Sequence, residues 1–405
     1  MQNKKNSLFL YIFFVITFFS FITLFFGDKY KFYFHQDMID SFMDLFNSIV
    51  GNREWKKEIG IYPPLAILPY RILARLVPWD MFSPFLQGRE LAFALRSSVP
   101  GAIILLLHLV CFIVPFIFIC DKFLADRKNS KYLYISCFIL SGIMLSSLER
   151  GNIIIYAFLF TLLFVLTNQS SQEKYIHLSY LCLAIAANLK FYPAVFGIIL
   201  LGKKDYRGCF IVVIEFIVIY VFSFILCGLS FQTNNFTQIN KWTSSITTTA
   251  IGLNYSFKNF ILCSQKIFSS IVNINLNIMP EKLFMVFKLF ILIIGIIAYF
   301  FLNTKWKKVA IPSILCILIP DVSFHYVLLF LFIPLIVFLT ENSSLKLDYY
   351  YSVVFALIFS ILIIPIKIDA PTYFISLGFV LQTCLIEILF LSLVLESFIG
   401  EIIKK

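Results

Sequence analysis

The sequence predicts an all-α, polytopic integral membrane protein, and three observations carry that reading. Of 405 residues, 60% are hydrophobic and only 14% charged, whereas a soluble domain is about half apolar and about a quarter charged. The apolar residues fall in long runs, several near the ~20 residues that cross ~30 Å of hydrocarbon. Short basic loops separate some of these runs, as cytoplasmic loops do. The 49 Phe residues read as lipid-facing filler.

The first run, 8–26, follows Lys4 and Lys5. It is too long for a signal-peptide core and has no small-residue cleavage site after it, so it reads as a retained first helix. Further runs at 99–119, 132–148, 152–167, 176–189, 192–201, 209–229, 280–302, 309–322, 323–340, 349–366 and 373–395 give about twelve transmembrane or re-entrant helices in one domain, 1–405. The pieces 176–189 and 192–201 are short for full crossings. They read as a broken pair, which is tolerated where protein or a cavity satisfies the backbone.

The basic short loops 121–131, 202–208 and 303–308, with Lys404 and Lys405, fall on one side when crossings alternate. The positive-inside rule makes that side, and both termini, cytoplasmic. Two long polar loops, 27–98 and 230–279, then face outside. Each contains a mixed apolar and basic stretch that predicts an interfacial helix. One is Leu65 to Val77, with Arg71 and Arg75 four apart and so on one face; the other is 256–273, with Lys258 and Lys266.

The formal charge of +11 raises a nucleic-acid partner, but no basic stripe or binding module accompanies it. Nine cysteines, mostly in or beside apolar runs and with no CxxC pair, give neither a disulfide framework nor a metal site. No cofactor is expected.

Charged groups within membrane segments are costly and therefore candidates for function. Glu149-Arg150-Gly151-Asn152 interrupts two apolar runs, Lys190 sits at the broken pair, and Asp321 and His325 mark another break. In the topology above all three breaks open outward, as does the segment after the first run. That segment carries Asp37, Asp40 and Asp44, spaced i, i+3, i+7 as on one helical face. Carboxylates just outside a membrane span can serve as a general base toward a lipid-borne substrate. Plainer alternatives stand beside each: solvated loop carboxylates, a Glu149–Arg150 turn pair, a snorkelling Lys190, a core His325. Glu215 and Glu387, inside spans, read as structural hydrogen-bonding groups.

The order of these features resembles a family. An acid-bearing loop follows the first span, then Tyr62-Pro63-Pro64-Leu65, the Arg150-Gly151-Asn152 turn, Lys190-Phe191-Tyr192-Pro193 at a broken span, and Ser323-Phe324-His325. This is similar to the family 87 glycosyltransferases, polytopic enzymes of the GT-C fold that include polyprenyl-phosphate-mannose-dependent mannosyltransferases. The family often has Gly-Gln-x-Asn at the turn, of which Gly151 and Asn152 match, and Ser-Trp-x-His at the histidine, one residue longer than here.

The resemblance implies an inverting, metal-independent hexosyltransferase, with a polyprenyl-phosphate sugar as donor and a glycan or glycolipid as acceptor. The site would face outward from a bacterial inner membrane. It places the catalytic base at Asp37. Asp40, Asp44, Tyr62, Arg150, Asn152, Lys190 and His325 are then expected to bind substrate, with Arg150 and Lys190 toward the phosphate and Tyr62-Pro63-Pro64 shaping the cavity lip. An O-antigen-type polymerase, with a catalytic Arg among Arg53, Arg71, Arg75 and Arg150, is the alternative. A lipid or glycan flippase is a third reading, and would call for internal repeats.

Overall fold

Proline, glycine and capping polar residues divide the chain into helices of very different length. The computed structural model describes residues 2–25, 41–53, 62–124, 130–229, 254–272, 281–341, 347–360, 367–370 and 373–402. These are helical almost throughout, with one antiparallel ribbon, Lys367–Ala370 against Tyr373–Ser376. Among the described residues, five helices are long and apolar enough to cross a membrane: Lys4–Ile22, Val99–Phe123, Tyr206–Leu226, Leu283–Phe301 and Gly378–Ile399.

A bent pair, Lys131–Leu140 and Gly142–Arg150, makes a sixth candidate if its 53° bend is one broken span. Ser141 causes the break. Its hydroxyl donates to the Phe138 carbonyl at 2.8 Å and accepts from the Met144 amide at 3.2 Å, ending one helix and capping the next.

The other apolar runs form shorter helices, among them Ile154–Thr167, Lys305–Leu318 and Phe332–Thr340. Their residues are mostly buried. A 10–14-residue apolar helix more often builds a core than spans a bilayer.

The helices group into two units. The first comprises Met1–Gln36, Leu124–Leu145 and Thr243–Lys405. Here the helix Gln2–Phe25 packs along Leu347–Phe359. Lys5, one of the two lysines ahead of the first apolar run, is buried. Its ammonium lies 3.7 Å from the Asp348 carboxylate, 3.2 Å from the Glu341 carbonyl and over the Phe338 ring. The basic loop 303–308 is likewise drawn inward. Trp306 is fully buried among Phe338, Tyr351 and Phe355, and Lys307 pairs with Glu396. A charge can leave water at such a position only because a partner replaces its hydration.

The second unit comprises Asp37–Phe123 and Ser146–Trp242. Its centre is the helical hairpin Ile154–Thr167 and Glu173–Leu189, joined on one face by Tyr206–Leu226 and by Pro64–Leu76. The last of these starts where the double proline predicts. Pro63 has an extended ψ of 155° and Pro64 opens the helix, the position where a missing amide hydrogen costs nothing. The expected interfacial helix therefore exists, but its two arginines differ. Arg75 is exposed. Arg71 is buried, bonding the Cys227 carbonyl at the end of Tyr206–Leu226 and Asn52 Oδ1 at 3.4 Å. A cation on orphan carbonyls at a helix C-terminus is a stabilising cap.

The far end of the hairpin is capped by the basic loop 202–208. Lys203 Nζ donates to the Asn168 carbonyl at 2.5 Å and to its side-chain oxygen at 2.6 Å. Asp205 accepts from the Gly208 amide at 2.8 Å and from the Tyr180 hydroxyl at 2.5 Å. Glu215 and Glu387 depart from expectation. Among the described residues, Glu215 Oε2 and Glu387 Oε1 are buried without a hydrogen-bond partner. All nine cysteines are free.

Candidate functional site

The turn Arg150-Gly151-Asn152 organises the site in the second unit. Arg150 ends the helix Gly142–Arg150. Gly151 follows at φ +65°, the left-handed stop that glycine adopts without strain. A Cβ there would meet the Leu45 Cβ at 3.0 Å, so glycine also admits the helix Met43–Gly51. Asn152 then begins the next helix, its Oδ1 accepting from the Ile154 amide at 3.1 Å.

The segment 41–44 docks on this turn. The Phe42 amide donates to the Glu149 carbonyl at 2.5 Å, and the Ser41 hydroxyl to Glu149 Oε1 at 2.6 Å. Phe42 itself has φ +61°. The helix therefore starts only at Met43; Asp37 and Asp40, expected on one helical face with Asp44, lie outside the described residues. Asp44 occupies the first helical turn, where the exposed amides favour a carboxylate.

Asp44 is the node of a polar cluster. Its Oδ1 pairs with Arg150, and its Oδ2 accepts from Asn152 Nδ2 at 2.7 Å. Glu149 and Arg150 are thus not an isolated turn pair. The same Asn152 amide donates to the Tyr62 hydroxyl at 3.1 Å. The Tyr62 ring faces Lys190, whose ammonium is 4.2 Å from the ring centroid, and lies beside the buried Tyr70 at 6.3 Å between centroids.

Lys190 is set by a helix end. Its amide closes the last turn of Glu173–Leu189 on the Ala186 carbonyl at 3.0 Å, and its backbone is extended. Pro193, in the turn Tyr192–Gly197, keeps the helix from continuing. The broken pair inferred from sequence is present, with the lysine at the break.

Burial sets the electrostatics. It raises the Tyr62 hydroxyl well above its ordinary pKa, assisted by Asp44, so Tyr62 stays a neutral phenol that accepts from Asn152. Tyr70 is raised for the same reasons, with Tyr62 adding to the effect. Burial lowers Lys190 to about 8, with Asp44 pulling the other way.

Five of the expected residues therefore converge: Asp44, Tyr62, Arg150, Asn152 and Lys190. Asp37 and Asp40 lie outside the described residues. His325 belongs to the first unit, where it opens the turn His325–Leu331 and packs on Tyr255 at 5.5 Å between rings.

Sequence reasoning missed what holds that segment. Asn254 Oδ1 accepts from the Ser256 and Ser323 amides at 3.0 and 2.8 Å, and its Nδ2 donates to the Asp321 carbonyl at 2.9 Å. Asp321 also pairs with Lys288. The available signal was Asn-Tyr-Ser before an amphipathic run, a helix-start pattern. The Ser256 hydroxyl does cap that helix, accepting from the Asn259 amide at 3.2 Å.

The sequence model of glycosyltransferase family 87 matches residues 61–334. That range contains Tyr62, Arg150, Asn152, Lys190 and His325. No curated protein and no solved structure matches the chain. The family match takes in more than half the chain and includes four of the five convergent residues, so the chain belongs to glycosyltransferase family 87.

Proposed function

We propose that this glycosyltransferase moves a hexose, mannose favoured, from a polyprenyl-phosphate donor to a lipid-linked or cell-envelope glycan. The reaction is inverting and metal-independent. It takes place on the outer face of a bacterial inner membrane, in a GT-C-like fold with both termini cytoplasmic.

The supporting observation is the set of two cations, Arg150 and Lys190, around one carboxylate, Asp44. These three described charges sum to +1 when Lys190 is protonated. A phosphodiester joining a polyprenol to a sugar carries one negative charge. As the bond from sugar C1 to the phosphate oxygen breaks, the departing phosphate gains a second. Cations fixed beside it stabilise that charge as it develops.

The acceptor oxygen attacks C1 from the face opposite the phosphate, and its proton passes to a carboxylate. Asp44 suits this role poorly, since one oxygen is paired with Arg150 and the other bonded by Asn152. Its part is to orient those two groups. The base is Asp37, a step worth roughly 10²–10⁴-fold, and Asp40 serves the acceptor. His325 is the substrate-binding residue proposed for the first unit.

The test is transfer by membranes supplied with a panel of labelled polyprenyl-phosphate hexoses. Label from the mannosyl lipid should reach glycan in the presence of chelator. Transfer only from nucleotide sugars or from diphosphate-linked sugars would overturn the reading.

A further inference from the structure

We infer that Tyr62 is a positioning residue for Lys190: its ring face holds the ammonium, and Asn152 in turn holds the ring. The inference rests on the proposal that Lys190 receives the donor phosphate.

Lysine is a flexible four-carbon stem that loses much freedom when fixed. At this break the backbone is extended and offers no helix to lie along. Among the described residues no carboxylate lies within ion-pairing distance of Lys190, and Asp44 acts on it only as a farther charge. The Tyr62 ring does lie against it, at 4.2 Å. A ring attracts a cation without neutralising it. The ammonium is therefore held while its hydrogens remain free for an anion, whereas a paired carboxylate would compete with phosphate.

The ring is itself fixed from three directions. Asn152 donates to its hydroxyl at 3.1 Å. Its apolar body packs on Ile67 and Cys227. Pro63 follows it and biases its backbone to the extended region. The chain of contacts Asp44–Asn152–Tyr62–Lys190 thus sets the spacing of the ammonium from the Arg150 pair through one asparagine and one ring.

The test is a double-mutant cycle on donor kinetics with Tyr62→Leu, Lys190→Ala and the double variant, with Tyr62→Phe beside them. Tyr62→Leu should raise the donor KM on the order of tenfold, the loss expected of a desolvated cation–ring contact, with kcat nearly kept. Tyr62→Phe, which retains the ring, should restore most of the affinity. In the Lys190→Ala background the leucine change should add nothing, because residues acting through one contact are not additive. If the leucine variant does not fold, Tyr62→Met takes its place in the cycle.

Equal damage from Phe and Leu, full additivity in the double variant, or an unchanged KM in Tyr62→Leu would each overturn the inference while leaving the donor reading intact. An unchanged donor KM in Lys190→Ala would remove the donor reading, and this inference with it.

Discussion

Asn152 Nδ2 donates to Asp44 Oδ2 across 2.7 Å, joining residues 108 positions apart in the chain. The two residues come from different kinds of segment. Asp44 starts a short helix after the first apolar run, and Asn152 starts the helix after the Gly151 turn. The bond places a carboxylate, an arginine and a tyrosine at one end of a helix 14 residues long, about 21 Å from its other end. There Lys203 and Asp205 cap the hairpin.

This relationship predicts the effect of substituting Asn152. Asn152→Ala removes a donor from a half-buried carboxylate and from the Tyr62 hydroxyl, and should cost roughly 1–3 kcal/mol. Asn152→Asp sets a second carboxylate against Asp44 and should cost more. Thermal melting in detergent measures both. An Asp variant as stable as the native chain would mean that the Asn152–Asp44 contact contributes little.

Arg71 should behave as a structural residue. Arg71→Ala leaves the Cys227 carbonyl uncapped and should lower stability by roughly 1.5–3 kcal/mol, as for a hydrogen bond to a charged group. The folded fraction should keep the native donor KM. A variant that melts like the native protein yet cannot transfer would recast Arg71 as part of the active site.

Donor binding should weaken at alkaline pH. In the proposed role of Lys190 its charged form binds the phosphate; burial brings its pKa down to about 8, against about 10.4 for a solvated lysine. Binding should therefore be near full a unit or more below pH 8 and be lost as pH rises through that value. Above it, donor kcat/KM should fall about tenfold per pH unit if a single proton controls binding. Lys190→Arg should remove this limb, because a guanidinium stays charged. A limb that persists in the arginine variant would belong to another group.

Sidedness is tested by labelling single cysteines in a Cys-free background with an impermeant thiol reagent. Asn47→Cys and Asn240→Cys should label in intact cells. Asn129→Cys and Lys204→Cys should label only after the membrane is opened. The reasoning is the clustering of basic residues in the short loops. Outside labelling at 204 with protection at 129 would require an odd number of crossings between them.

Much of the second unit was legible because its signals are local. Pro63-Pro64 starts a helix, Gly151 stops one, Asn152 restarts one, and Lys190 before Pro193 marks a break. Each follows from backbone stereochemistry within a few residues. What was not legible depends on distant partners. Phe42 turns left-handed against the Glu149 carbonyl, so the helix that carries Asp44 starts only at Met43. Arg71, Lys5 and Lys307 look like surface charges in sequence, yet are buried by Cys227, Asp348 and Glu396 respectively. Apolar runs do not reveal whether lipid or protein surrounds them, so 309–322 and 323–340 read as spans although they form short, buried helices.

Hexose transfer from a polyprenyl phosphate, with Asp37 as base and Asp44 as organiser, is the proposed reaction. Its most direct test is single-turnover transfer from labelled polyprenyl-phosphate mannose by the purified protein in proteoliposomes, comparing native chain, Asp37→Asn and Asp44→Asn. The native chain should transfer mannose with inversion. Asp37→Asn should melt like the native protein and lose roughly 10²–10⁴-fold in rate, while Asp44→Asn should show reduced stability and weakened donor binding. Native-rate transfer by Asp37→Asn, with a folded Asp44→Asn that binds donor but is silent, would rule out Asp37 as the base and move that role to Asp44.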